Sequence, residues 1–187
     1  MSAPDDIEPR IAQALGFPKT KYMAVERERR WLCGRVPREL IRQSEAINDL
    51  YVTGARLRLR EARPLDGGAP MRRLTRKADV DARTRLITSI YLPPEEFAML
   101  AAALSGERIS KLRHRLSSPP GVAMSFDEFQ GPLAGLLMAE AEFETSDQMA
   151  AFPDPDFAVR EVTDDPHFTG GWLSRHGLPE DYRIGHA

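Results

Sequence analysis

From Tyr22 onward the chain is dominated by positions that alternate between apolar and polar. The stretches "YMAVERERRWLC", "ARLRLRE", "RRLTRK", "TRLITSIYL", "SKLRHRL", "AMSFDEF" and "GLLMAEAEFE" each do so over five or more residues. A period of two places successive side chains on opposite faces, so each stretch predicts a β-strand. Helical signals are fewer. They are "PRELIRQS" after the first strand, Pro93–Leu104 with prolines and acids at its start, "SDQMAAF" opened by Ser146, and a short possibility at Ile7–Leu15. Gly and Pro clusters at Leu65–Pro70 and Ser117–Gly121 mark turns. Many antiparallel strands with few helices predict an α+β fold whose main body is a closed or nearly closed barrel, because closure removes exposed strand edges.

Splitting each strand by alternation separates its charges from its apolar side chains. Glu26, Glu28 and Arg30 share one face, opposed to Val25, Arg27, Arg29 and Trp31. Arg56, Arg58 and Arg60 lie in front of Leu57 and Leu59; Lys111, Arg113 and Arg115 in front of Leu112, His114 and Leu116. Arg73, Thr75 and Lys77 align, as do Met138, Glu140, Glu142 and Glu144. For one strand alone, such a face meets solvent and pairs its charges across strands for a few tenths of a kcal/mol. Turned inward together, the same faces enclose carboxylates on some strands and cations on others, an arrangement that is costly unless it meets ligands of opposite sign. Two Glu-x-Glu pairs supply hard oxygen donors suited to Mg²⁺ or Mn²⁺, and the arginines and lysines suit an extended polyanion. The ligand this predicts is a metal-bound polyphosphate.

Composition narrows the classes. The 187 residues suffice for one sizeable domain, and 42% hydrophobic content is ordinary for a globular protein. A formal charge of −2 with 29% charged residues supplies no global field for nucleic acid duplex or an anionic membrane, so charge acts locally. One cysteine, Cys33, excludes a disulfide framework and a thiolate metal site. The first residues lack the order of a secretory signal and no stretch reaches membrane-spanning length, so a cytoplasmic location is expected. His114, His167 and His186 form no catalytic pattern, and Cys33, Trp31 and Phe126 read as packing.

These residues also resemble a known family, the CYTH or triphosphate tunnel metalloenzyme proteins. The family's first strand is Glu-x-Glu-x-Lys, here Glu26, Glu28 and, with a change, Arg30. Its arginine-rich strand resembles "LRLRE", its "LTxK" strand Leu74–Lys77, and its "KxR" strand Lys111–Arg113. Asp127-Glu128-Phe129 with Gly131, then Glu140-Ala141-Glu142 and finally Glu161-Val162-Thr163, follow in family order, so the likeness runs from about Tyr22 to Leu173.

The resemblance implies an eight-stranded antiparallel β-barrel with short helices outside, binding triphosphate and a divalent metal, Mg²⁺ or Mn²⁺. It implies metal ligands at Glu26, Glu28, Glu140 and Glu142, and a phosphate path along Arg58, Arg60, Lys77, Arg85, Lys111 and Arg113 with Asp127 orienting the cations. Catalytic roles fall to Glu28, Arg30 and Lys111. The expected organisation is an extension over 1–20, a tunnel domain over 21–173 and a tail over 174–187, in a monomer or homodimer. The expected activity is metal-dependent hydrolysis of inorganic triphosphate or a small organic triphosphate. The alternative is a non-catalytic polyphosphate- or nucleotide-binding module of the same fold; adenylate cyclase chemistry is a third reading. Two departures stand out: Arg30 replaces lysine, and Ile87 and Ser89 stand where many relatives carry acids, which predicts an apolar tunnel wall there.

Overall fold

A computed structural model describes residues 7–180 and Tyr182. The portions of the expected extension and tail at 1–6, 181 and 183–187, including His186, lie outside the described residues. In chain order the elements are α1 (Pro9–Ala14), β1 (Ala24–Cys33), β2 (Ile41–Val52), β3 (Leu57–Pro64), β4 (Met71–Asp79), β5 (Thr84–Tyr91) and α2 (Pro94–Ala103). Then follow β6 (Gly106–Leu116), β7 (Val122–Phe129), β8 (Leu137–Phe143), α3 (Ser146–Ala151), β9 (Ala158–Glu161) and α4 (Gly170–His176).

The strands run in the order β5-β4-β3-β2-β6-β7-β8-β1, and β5 pairs back onto β1 to close an eight-stranded antiparallel barrel. The closing strand has three partners. Along one edge, Arg27–Leu32 pair with Phe143–Met138 of β8. Along the other, Ala24–Arg27 pair with Ile87–Thr84 of β5, and β9 takes over from Trp31.

One expectation is corrected. "PRELIRQS" does not form an α-helix: only Arg38–Leu40 make a single 3₁₀ turn, and Ile41 opens β2. β2 hydrogen-bonds to β3 on one side and β6 on the other over most of its length, which outweighs the local helical preference. A register shift between Ile41 and Gln43 marks a bulge at the start of the strand, after which Gln43–Val52 pair with β6 in unbroken register. Where β6 begins, a side chain on Gly106 would put Cβ 2.1 Å from the Tyr51 carbonyl oxygen, so glycine permits the close approach of β2.

The apolar clusters cover the outer faces and one end of the barrel. Trp31, Phe126, Ala139, Ala141 and Phe143 pack outside beneath α3 and Phe157. The α3 N-terminus is fixed by a capping box between Thr145 and Gln148. Ala12 and Phe17, from the α1 region, cover Val25 and Leu86 on another outer flank. Ile109, Phe129, Met138, Phe168 and Leu173 gather at one end, where α4 runs across the expected boundary at residue 173. No helix among the described residues is long and apolar enough to cross a membrane.

Candidate functional site

The charged faces turn inward around a cavity of about 540 Å³. Its wall takes Glu26, Glu28 and Arg30 from β1, Arg58 and Arg60 from β3, and Arg73, Thr75, Lys77 and Asp79 from β4. Arg85 comes from β5, Lys111 and Arg113 from β6, and Glu140 and Glu142 from β8. Alternation along regular strands is enough to aim all of them at one space. Ile87 and Ser89 do not line it: Ile87 is buried at the seam opposite Ala24 and Lys77, and the Ser89 hydroxyl bonds that of Thr75 at 2.8 Å. Of β5, Arg85 lines the cavity, while Ile87 turns inward at the seam beside Lys77. His114 faces away from the cavity, 2.7 Å from both the Ser44 hydroxyl and Glu128. Burial raises the Cys33 thiol to about 12, leaving it inert as a nucleophile.

At the carboxylate side, β1 and β8 set Glu28 directly opposite Glu142 and Arg30 opposite Glu140. Lys77 donates to Glu26 at 2.6 Å, Arg85 bonds Glu28, and Arg113 reaches Glu140 at 2.5 Å. Burial pushes the Glu26 carboxyl upward, but the charges of Lys77, Arg85 and Arg58 outweigh it and hold the group below its ordinary range. Glu140 is likewise held well below by Arg113 and Lys111 against the cost of burial. Glu142 goes the other way. Burial and the neighbouring Glu26 and Glu140 charges raise it, and among the described residues no cation stands within ion-pair distance. Two like charges opposed on one face destabilise a sheet unless a cation joins them.

The donors suit a divalent ion: four carboxylates on adjacent strands offer hard oxygens. With Glu26, Glu28 and Glu140 engaged by basic side chains, no three acids or imidazoles converge to metal-holding distance among the described residues. Binding an ion requires these carboxylates to exchange a guanidinium or ammonium for it.

Between the two sides lies a buried triad. Lys111 donates to Asp127 at 2.6 Å, and Arg113 grips both Asp127 oxygens at 2.7 Å. Asp127 is 1% exposed, so this carboxylate positions two cations. Burial and Arg113 lower the Lys111 ammonium, while Asp127 and Glu140 oppose them. Arg30 is tethered: its guanidinium donates at 2.8 Å to the carbonyls of Phe168 and Thr163, with Nε 3.2 Å from Glu28.

Sequence reasoning did not single out Asp49, Arg73 or Tyr51. Asp49, 1% exposed on β2, receives Arg60 at 2.7 and 2.6 Å and stands 3.7 Å from Arg58. Arg73 faces Arg60 across β3 and β4. The period-two reading of "RRLTRK" had placed Arg73 beside Thr75 and Lys77, and that signal marks it as inward-facing. Asp49 sits on β2, between β3 and β6, a strand that the period-two reading did not pick out. Tyr51 also lines the cavity, its hydroxyl so near α4 that a Cβ on Gly170 would lie 2.0 Å away.

Four buried side-chain nitrogens lack an acceptor among the described residues, and three belong to cavity arginines: Nε of Arg30, Arg58 and Arg73. Buried donors are nearly always satisfied, so this concentration marks a place prepared for an anion.

The antiparallel barrel thus encloses a charged lumen in which carboxylates of β1 and β8 stand opposed while the Nε groups of Arg58 and Arg73 lack acceptors. No family model matches the chain. Inorganic triphosphatase of Nitrosomonas europaea is 34% identical over 79 residues, 42% of this chain and 52% of that protein. Inorganic triphosphatase of Acetivibrio thermocellus is 38% identical over 68 residues, 36% of this chain and 42% of that one. The chain thus spans about half the length of the curated relatives it matches. The crystal structure of inorganic triphosphatase NE1496 is similar over 80% of this chain and 93% of that one, with 26% identity and a TM-score of 0.55. The sequence likenesses are to inorganic triphosphatases, and the structural likeness extends over most of the barrel.

Proposed function

We propose that the chain hydrolyses a triphosphate, inorganic or a small organic one, within the barrel, using a divalent cation. The observation that carries this reading is the pair of buried arginine nitrogens without acceptors, on Arg58 and Arg73, in a lumen that also holds the opposed carboxylates of β1 and β8. In this reading Glu26, Glu28, Glu140 and Glu142 hold the ion, Mg²⁺ or Mn²⁺. Bound there, it would offset charge on the phosphates and acidify a water. Arg58, Arg60, Lys77, Arg85 and Arg113 bind phosphoryl oxygens. Lys111, oriented by Asp127, stabilises charge on the leaving oxygen. The relatives named inorganic triphosphatase support inorganic triphosphate as the first substrate to test. A cytoplasmic monomer or homodimer is part of the same proposal.

The second reading, a binding module without turnover, is favoured by Arg30. Both of its terminal nitrogens are committed to backbone carbonyls, which assigns it to holding the Thr163–Phe168 segment. The deciding experiment is phosphate release from inorganic triphosphate with Mg²⁺ or Mn²⁺, before and after chelation, in wild type and Glu28→Gln. Metal-dependent turnover reduced at least about 100-fold in the variant supports hydrolysis, a loss typical of removing one preorganised charge from such a site. Tight binding with no release from inorganic or organic triphosphates would select the binding module.

A further inference from the structure

We infer that Arg73 is a phosphate-contacting residue of this tunnel, forming with Arg58 an anion subsite beside the Arg60–Asp49 pair. The inference rests on the reading of the lumen as a triphosphate site and adds a residue that none of the family motifs contains.

β4 carries three arginines, and the contrast among them is informative. Arg72 and Arg76 leave by the outer face and find acceptors, Arg72 at Glu61 (2.7 Å) and Arg76 at the Leu15 carbonyl (2.8 Å), although one terminal nitrogen of Arg76 is left without one. Arg73 faces the cavity and forms no ion pair or hydrogen bond among the described residues; its Nε is buried without an acceptor. Its neighbour across the β3–β4 ladder is another arginine, Arg60.

The local charge does not balance. Asp49 is the carboxylate of this corner, and Arg60 occupies both of its oxygens. Arg58 has only the longer 3.7 Å approach to it, and its Nε is likewise unsatisfied. Arg58 and Arg73 therefore have no carboxylate within hydrogen-bond distance, which leaves their donors for a ligand. Planar guanidiniums match phosphoryl oxygens in geometry as well as charge. Arg73 lies four residues from Lys77, the partner of Glu26, which separates the two positions by about 13 Å along the strand. An anion at Arg73 is thus a different phosphoryl group from one at the carboxylates.

The test measures binding of inorganic triphosphate by calorimetry, with Mg²⁺ present, to wild type, Arg73→Met and Arg73→Lys, together with thermal unfolding of each ligand-free protein. A contact predicts at least tenfold weaker binding for Arg73→Met, partial recovery in Arg73→Lys, and a KM that rises more than kcat falls. Ligand-free Arg73→Met unfolds no lower than wild type, because an unpaired, half-buried charge has been removed from beside like charges. Affinity within twofold of wild type overturns the inference, as does a loss of affinity that accompanies lowered stability, which would mark a structural role. If wild type hydrolyses inorganic triphosphate and Arg73→Met matches it, only this inference fails. If wild type neither binds nor hydrolyses it, the reading of the lumen fails as well.

Discussion

Replacing Asp49 with Asn removes the negative charge from a corner that holds three guanidiniums. The carboxylate is 1% exposed, takes two short bonds from Arg60 and lies 3.7 Å from Arg58. Removing one partner of a buried ion pair costs about 3–5 kcal/mol, because the other charge is left unpaired. The Asn carbonyl still accepts one bond, so about 3 kcal/mol is expected, the low end of that range. In urea, with a slope of about 2 kcal/mol/M, the unfolding midpoint falls by about 1.5 M. Burial raises the Asp49 carboxyl, but Arg60 and Arg58 outweigh burial and hold it far below its ordinary 3.8. The difference between wild type and variant is therefore present in full above pH 3.8 and closes only as acid protonates the folded carboxylate. A loss below about 1 kcal/mol, or a difference that closes above pH 5, would refute the assignment of Asp49 as the charge that holds these arginines together.

Two further outcomes follow from the fold. The Glu161 carboxyl is held at about 2, chiefly by its bond from Arg29, so wild type loses stability progressively as pH falls from 4.5 toward 2. Glu161→Gln flattens that part of the profile in a denaturation series across acid pH. Gly106→Ala forces a Cβ to 2.1 Å from the Tyr51 carbonyl and should cost about 1–3 kcal/mol in urea unfolding; a neutral result would mean β2 and β6 separate easily at that point.

The barrel was legible where inward charge alternates with outward apolar side chains, most cleanly in β8, whose Glu140 and Glu142 alternate with Ala139, Ala141 and Phe143. In β1 and β4 the outer faces add arginines that bond to residues covering the barrel, such as Arg29 to Glu161 and Arg76 to the Leu15 carbonyl. The pattern failed at β2, where "PRELIRQS" favours helix locally and apolar and polar residues do not alternate strictly over Gln43–Val52. Asp49 disappeared with that strand, since its role exists only through pairing with β3. On β5 the alternation correctly turned Ile87 inward, yet not into the cavity, because the closing contact with Ala24 covers it. Arg30 shows a different limit. Its face was readable, but its tethers to Thr163 and Phe168 lie far along the chain and no local signal announces them.

The three-partner strand also sets the order in which the molecule assembles. β1 is synthesised first, but β8 emerges roughly a hundred residues later and β9 later still. Closing so distant a pairing is slow, because the entropy of the intervening chain is lost before the contact repays it. Until then β1 has an open edge, the kind that recruits other chains into aggregates. Its sequence "VERERRWL" is alternately charged and resists such pairing. The side chains that line the finished lumen thus also protect the nascent strand while it waits.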